Sequence, residues 1–142
     1  MKTKKIFALF FSIILMLGIC VPTFAAVPNT DPIMPLYNVA NGMLADIYIS
    51  GSTITSICEV DVNKSCVVKI QITIQKFSSD TNTWENYKTF SAQNISSGNP
   101  RVLEKTASNV PSGTYRTKAY VEVRVNGILK DSDTVYSYSA SK

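Results

Sequence analysis

Two long segments of this chain alternate between apolar and polar side chains, and this alternation constrains the fold more than any other feature. In Cys66–Ile74 every second residue is Cys, Val or Ile, with Lys69, Gln71 and Thr73 among the residues between them. In Thr114–Val125 the residues Tyr115, Ala119, Val121, Val123 and Val125 alternate with Arg116, Lys118, Tyr120, Glu122 and Arg124. A period of two residues predicts antiparallel strands that bury one face and expose the other.

The segment Thr53–Val62 alternates likewise, with Ile54, Cys58, Val60 and Val62 on one face. Four further segments predict strands, because β-branched and aromatic residues lie between clusters of turn residues. They are Leu44–Ser50, Trp84–Ala92, Pro100–Ala107 and Ser132–Ser139. No window shows the sustained i, i+3, i+4 spacing of an amphipathic helix. We therefore expect residues 42–142 to form an all-β domain, an antiparallel immunoglobulin-like or fibronectin-like β-sandwich of about seven strands.

The N-terminal residues 1–25 have the three-part pattern of a signal peptide. Three lysines precede an apolar run from Ile6 to Val21, and a cut after Ala25 places small side chains at the cleavage site. A retained membrane anchor is the alternative, but the run is shorter than the roughly 20 residues that span a bilayer. Lipidation at Cys20 is disfavoured because the bulky Ile19 precedes it.

Residues 26–41 contain Pro28, Pro32 and Pro35 among Asn and Asp, which predicts a flexible leader. Removing residues 1–25 removes three lysines and no acidic residue, so the formal charge falls from +4 to +1. Binding to a nucleic-acid backbone requires clustered positive charge, and a nearly neutral domain argues against it. We expect a secreted, extracellular protein, free or associated with the cell wall, that meets a membrane only through its signal peptide before cleavage.

The segment Val110–Tyr115 indicates a tyrosine corner. In immunoglobulin-like and fibronectin-like sandwiches a Tyr near the start of the sixth strand donates a hydrogen bond back across a corner. Tyr115 fits this role, and Gly113 permits the close approach of the chain. The alternative is an ordinary core Tyr that follows a turn.

Several short motifs together resemble a known group of proteins. These are the signal peptide, the Gln75-Lys76 strand end, the hairpin with Trp84, and Gly113-Thr114-Tyr115-Arg116 at the start of a long strand. The chain resembles small secreted β-sandwich proteins of clostridia and related Gram-positive bacteria, which carry a domain of unknown function. The resemblance implies secretion and an all-β fold, and it implies no catalytic residues.

Two cysteines remain after the signal peptide, Cys58 and Cys66, on consecutive predicted strands. In an exported protein this favours a disulfide across the Asp61–Ser65 turn, with two buried thiols as the alternative. Two thiols without His cannot complete a zinc site, so no metal is predicted.

Catalysis has little support, because the chain contains no His that could activate a Ser or Cys nucleophile. The closest acidic grouping, Asp131 and Asp133, is interpreted as a turn in which Asp makes local hydrogen bonds. We therefore predict that the protein is not an enzyme and uses no cofactor.

The outward face of the Thr114–Val125 strand is the candidate binding surface. It presents Arg116, Lys118, Tyr120 and Arg124. In an immunoglobulin-like arrangement the Cys66–Ile74 strand lies beside it and adds Lys69, Gln71 and Thr73, and one phase of the last strand would add Tyr136 and Tyr138. In the other phase Val135 would point outward instead. Tyr beside Arg and Lys suits stacking and hydrogen bonding to a sugar or a protein partner, although these residues also favour any solvated sheet. Trp84 is either a ligand platform or, as a structural residue, a cover for the end of the core.

The sequence thus favours a non-catalytic surface-binding module for an extracellular glycan or protein. A bacteriocin-like or toxin protein acting on a competitor's envelope is the alternative, and an extracellular hydrolase comes third.

Overall fold

Nine β-strands form the regular structure of residues 36–142, which are the residues that the computed structural model describes. The strands are β1 (Ala40–Ser50), β2 (Thr53–Val62), β3 (Val67–Ser78), β4 (Thr83–Thr89), β5 (Gln93–Ile95), β6 (Arg101–Ala107), β7 (Thr114–Val125), β8 (Ile128–Tyr136) and β9 (Ala140–Ser141). The predicted signal peptide and residues 26–35 of the predicted leader lie outside this range. Within it, no helix is long and apolar enough to cross a membrane.

The strands form two antiparallel sheets. One has the order β1-β2-β6, and the other has the order β4-β3-β7-β8, with β5 and β9 pairing to β3 and β7. The buried faces of both sheets contribute to the same core clusters, so the fold is the predicted all-β antiparallel sandwich, with nine strands where the sequence indicated about seven.

The long alternating segments form the strands that were predicted for them. The bounds of β2 and β7 are those read from the sequence, and β3 extends four residues beyond Ile74. The segment Trp84–Ala92 differs, because regular pairing ends at Thr89 and resumes in the short β5. The last long strand also differs: it begins at Ile128, directly after the Asn126-Gly127 turn, and ends at Tyr136.

The buried residues of β3 and β7 are the apolar members of the alternating pattern in the sequence. Ile70, Ile72 and Ile74 on β3 are fully buried, and so are Val121 and Val123 on β7. Regular pairing of β3 with β7, from Val67 opposite Arg124 to Lys76 opposite Tyr115, places the apolar residues of both strands on the same face. Their polar neighbours consequently form one continuous outer surface.

A buried polar contact joins the two sheets. The Thr117 hydroxyl on β7 donates to the Asp46 carbonyl of β1 at 2.9 Å and lies 2.7 Å from the Ser56 hydroxyl of β2. Thr117 and Ser56 are both fully buried. This contact satisfies polar atoms that would otherwise be costly at the centre of the sandwich.

Asp131 binds the backbone of the segment that leads into β1. Its carboxylate accepts hydrogen bonds from the backbone N–H groups of Asn38, Val39 and Ala40 at 2.7 to 3.1 Å. Asp131 is therefore not a turn residue, as the sequence suggested, but an inward-facing residue of β8. Because Val39 is buried and β1 begins at Ala40, the packed chain starts upstream of the predicted boundary at residue 42.

Tyr115 closes the corner before β7. Its hydroxyl donates to the Pro111 carbonyl at 2.8 Å, four residues upstream, which is the corner hydrogen bond expected from the sequence. Gly113 has a φ of +154°, and a Cβ there would lie 2.6 Å from Lys76 Cε. Glycine therefore suits the backbone conformation, and a larger residue would displace the Lys76 side chain.

Candidate functional site

The outer surface of the β4-β3-β7-β8 sheet carries most of the residues that the sequence placed in a binding site. Arg116, Lys118, Tyr120 and Arg124 all point outward from β7. On one side they face the outward residues of β3, which include Gln71, Thr73 and Gln75. On the other side they face Ser132, Thr134 and Tyr136 of β8. We call this surface the polar face.

The phase of β8 is one of the two alternatives left open by the sequence. Tyr136 points outward and is 49% exposed, whereas Val135 packs against the core. Tyr138 lies beyond the end of β8 and is 94% exposed. The structure therefore places Tyr136 on the polar face and leaves Tyr138 outside the paired strands.

Arg116 is held between two aromatic rings. Its guanidinium carbon lies 4.4 Å from the centroid of the Trp84 ring on β4 and 4.4 Å from that of the Tyr136 ring on β8. Its Nε donates to Gln75 Oε1 at 2.9 Å, and Gln75 Nε2 donates to Asn86 Oδ1 at 2.9 Å. These contacts connect four adjacent strands and restrict the position of the guanidinium.

Trp84 therefore does not cover the end of the core. Its register opposite Phe77 places it on the outward side of the sheet, where the two rings meet edge to face at 5.4 Å. Neither described core cluster includes Trp84. On β4 the aromatic residue that contacts the buried Tyr115 is Tyr87, whose ring meets that of Tyr115 edge to face at 5.6 Å.

A shallow groove of about 300 Å³ crosses the middle of the polar face. Its lining consists of side chains that donate or accept hydrogen bonds: Gln71, Thr73, Asn86, Thr89, Lys118, Tyr120 and Thr134. The Thr73 and Thr89 hydroxyls lie 3.1 Å apart on neighbouring strands. Sequence reasoning included Gln71, Thr73, Lys118 and Tyr120 on this surface and missed Asn86, Thr89 and Thr134.

The other end of the polar face is a compact group of paired charges. Arg124 donates to Glu122 through Nη2 at 2.9 Å and through Nε at 3.2 Å, and Lys69 Nζ lies 3.7 Å from the same carboxylate. The hydrogen bonds from Arg124 outweigh the opposing effect of burial and lower the pKa of Glu122. Burial and a hydrogen bond to Glu122 raise the pKa of Tyr120. Arg124 is thus engaged within the protein, unlike Lys118.

Cys58 and Cys66 are free, buried thiols, so the predicted disulfide is not formed. The prediction assumed that the Asp61–Ser65 turn brings the two cysteines on consecutive strands together. In the structure β2 pairs with β1 and β6, whereas β3 belongs to the opposite sheet. Burial, and to a lesser degree the Glu59 carboxylate, raises the pKa of Cys58 to about 12, which makes its thiol unreactive at neutral pH.

Comparison with models of known protein families finds no match to this chain, and comparison with curated protein sequences also finds none.

Proposed function

We propose that this protein is a secreted, non-catalytic module that binds an extracellular glycan through the polar face. The observation that carries the proposal is the groove of amide, hydroxyl, phenol and ammonium groups on a rigid sheet, next to the aromatic pair Trp84 and Tyr136. Sugar hydroxyls both donate and accept hydrogen bonds, and the Gln71 and Asn86 amides can do the same. Tyr and Trp rings provide flat apolar surfaces for the C–H faces of a sugar.

The shape of the site supports a polymer as the ligand. The groove is shallow and lies across several strands, whereas sites for small ligands are usually concave and enclose most of the ligand. An extended chain could contact the groove and the aromatic end together. The groove lining contains no carboxylate, and glycoside hydrolysis generally requires two. Binding without cleavage is the activity that this set of side chains supports.

The test uses Trp84, the only tryptophan of the chain, as a built-in reporter on the polar face. Titration of the purified protein with soluble wall polysaccharides, followed by Trp84 fluorescence and by affinity electrophoresis, should show saturable binding. Tyr120→Ala combined with Arg116→Ala should weaken the affinity at least tenfold while the protein remains folded.

The matched control is Tyr48→Ala, which removes an exposed Tyr from β1 on the opposite sheet. Its affinity should equal that of the unmodified protein. If the double variant binds as tightly as the control, the polar face is not the binding site. If no polysaccharide binds, glycan recognition is refuted.

Export is tested separately. When the full chain is expressed in a host with a secretion pathway, mass spectrometry of the protein in the medium should give an N-terminus at Ala26. Retention of the whole chain in the cell would contradict secretion.

A further inference from the structure

The inference concerns the chemical class of the glycan, and it rests on the proposed function of the polar face. The two ends of this face differ in how their positive charges are used. At one end Lys69 and Arg124 both contact the carboxylate of Glu122, so their charges are partly neutralised within the protein. Arg116 at the other end and Lys118 in the groove have no such partner: in residues 36–142, neither forms a salt bridge.

Arg116 presents its remaining N–H groups in a defined direction. The guanidinium carbon lies 4.4 Å from the centroid of each flanking ring, and Gln75 accepts the hydrogen bond from Nε. Within residues 36–142 the two Nη atoms donate no hydrogen bond to the protein, so they are available for a ligand. A planar guanidinium edge matches the two oxygens of a carboxylate or phosphate group. Because the protein already restrains the side chain, binding such a group costs little additional entropy.

Lys118 places a second cation inside the groove. It is two residues from Arg116 on the same side of β7, which corresponds to a spacing of about 7 Å. No carboxylate lines the groove, so the Lys118 ammonium has no anionic neighbour there. A neutral sugar would satisfy its hydrogen bonds but would leave its charge uncompensated.

We propose that the natural ligand is an acidic glycan, with a carboxylate or phosphodiester group that contacts Arg116 and Lys118 while its sugar or polyol hydroxyls fill the groove. The charge on the outer surface of the β1-β2-β6 sheet also supports binding of an anionic polymer at the polar face. The outward positions of that sheet hold four acidic residues and no Lys or Arg: Asp46, Glu59, Asp61 and Glu104. An anionic polymer is repelled from that surface and attracted to the polar face.

The experiment compares two polymers that differ in one functional group. Polygalacturonate and its carboxyl-reduced form have the same backbone and differ only in the carboxylate. We expect the protein to bind polygalacturonate at least tenfold more tightly, by Trp84 fluorescence and by isothermal titration calorimetry. Poly(glycerol phosphate) serves as a third ligand, and tighter binding to it than to polygalacturonate would identify phosphodiester as the preferred anion.

Lys118→Met tests the assigned residue. It should reduce the preference for the charged polymer to about threefold or less. Lys64→Met removes the same charge from the exposed β2–β3 turn and should leave the preference unchanged.

Equal or tighter binding of the carboxyl-reduced polymer, with no binding of poly(glycerol phosphate), would overturn this inference and leave the proposed function standing. Failure of all three polymers, together with the neutral wall polysaccharides, would refute both. An unchanged preference in Lys118→Met would overturn the assignment of Lys118.

Discussion

Neighbouring residues of β7 have different roles: one lies on the candidate binding surface and the next stabilises the core. Arg116 points outward, where two rings and Gln75 hold its guanidinium in place. The next residue, Thr117, points inward and links the two sheets through Asp46 and Ser56. Because neighbouring side chains of a strand lie on opposite faces, changes at these two positions should have different consequences.

Thr117→Val should destabilise the domain without altering the polar face. The substitution keeps the shape of the side chain but leaves the Asp46 carbonyl and the Ser56 hydroxyl without their partner. We expect the free energy of unfolding to fall by about 1–3 kcal/mol in urea denaturation. Thr55→Val is the control, because Thr55 lies on the outer surface of β2; it should change stability by less than about 0.5 kcal/mol. Equal effects of the two variants would contradict the structural role of Thr117.

Asp131 should make the stability of the domain dependent on pH. Burial opposes ionisation of its carboxyl, but the hydrogen bonds from Asn38, Ala40 and Val39 outweigh it, so the pKa of Asp131 lies below its ordinary value. A lowered folded-state pKa contributes stability above the unfolded-state pKa of about 3.9, and this contribution is lost as the pH falls through the folded-state value.

Asp131→Asn should therefore lower the free energy of unfolding by about 1.5–3 kcal/mol at pH 7. The difference from the unmodified protein should shrink as the pH falls below 4. Asp80→Asn, in the exposed β3–β4 turn, is the control and should give no difference at either pH. A difference for Asp131→Asn that is constant with pH would contradict the role of the ionised carboxylate.

At the scale of strands, a bulge in β4 brings additional side chains to the polar face. In β4, Lys88 lies opposite Ile74 and Asn86 lies opposite Gln75, so Tyr87 is the extra residue of a bulge. Asn86 and Thr89 are an odd number of positions apart and would lie on opposite faces of a regular strand. The bulge places both in the groove.

In β8 the inward positions include two acidic residues. Asp131 binds the backbone of the entering chain, and Asp133 accepts a hydrogen bond from the Tyr37 hydroxyl at 2.6 Å. Burial and this hydrogen bond raise the pKa of Tyr37 to about 12. Carboxylates at inward positions hide the usual alternation of apolar and polar residues, which is why the sequence left the phase of this strand open.

The phase of β8 can be tested by a pair of neighbouring substitutions. Val135→Ala should lower the free energy of unfolding by roughly 1–2 kcal/mol, because it removes two methyl groups from the core side. Tyr136→Ala should change stability less but alter Trp84 fluorescence, since it removes one ring from the Arg116 contact. Thermal denaturation and fluorescence spectra of both variants provide the measurement. The reverse pattern would mean that the strand has the opposite phase.

The molecule as a whole has two surfaces of opposite charge. The polar face carries Arg116 and Lys118 without acidic partners, and the outer surface of the β1-β2-β6 sheet carries an excess of carboxylates. This separation is invisible in the net charge, which is close to zero once the predicted signal peptide is removed. Average charge therefore argues against nucleic-acid binding but does not describe the local field at the polar face.

Binding to polygalacturonate should weaken as the salt concentration rises. Between about 0.01 M and 1 M salt the Debye length falls from about 30 Å to about 3 Å, which screens the attraction between the polymer and the polar face. We expect a loss of affinity of at least tenfold across this range in fluorescence titrations. Lys118→Met should show a weaker dependence on salt. Affinity that does not change with salt would contradict an electrostatic contribution.

The sequence by itself determined the fold class, the bounds of β2 and β7, the outward direction of Arg116, Lys118 and Tyr120, and the corner at Tyr115. These features depend on alternation and turn chemistry within short segments, and local sequence carries that information. Tertiary structure decided which strands became neighbours, and with them the unpaired state of Cys58 and Cys66 and the stacking of Trp84 and Tyr136 on Arg116. Pairing between distant strands depends on packing and on irregularities such as the β4 bulge, and a period of two residues cannot specify either.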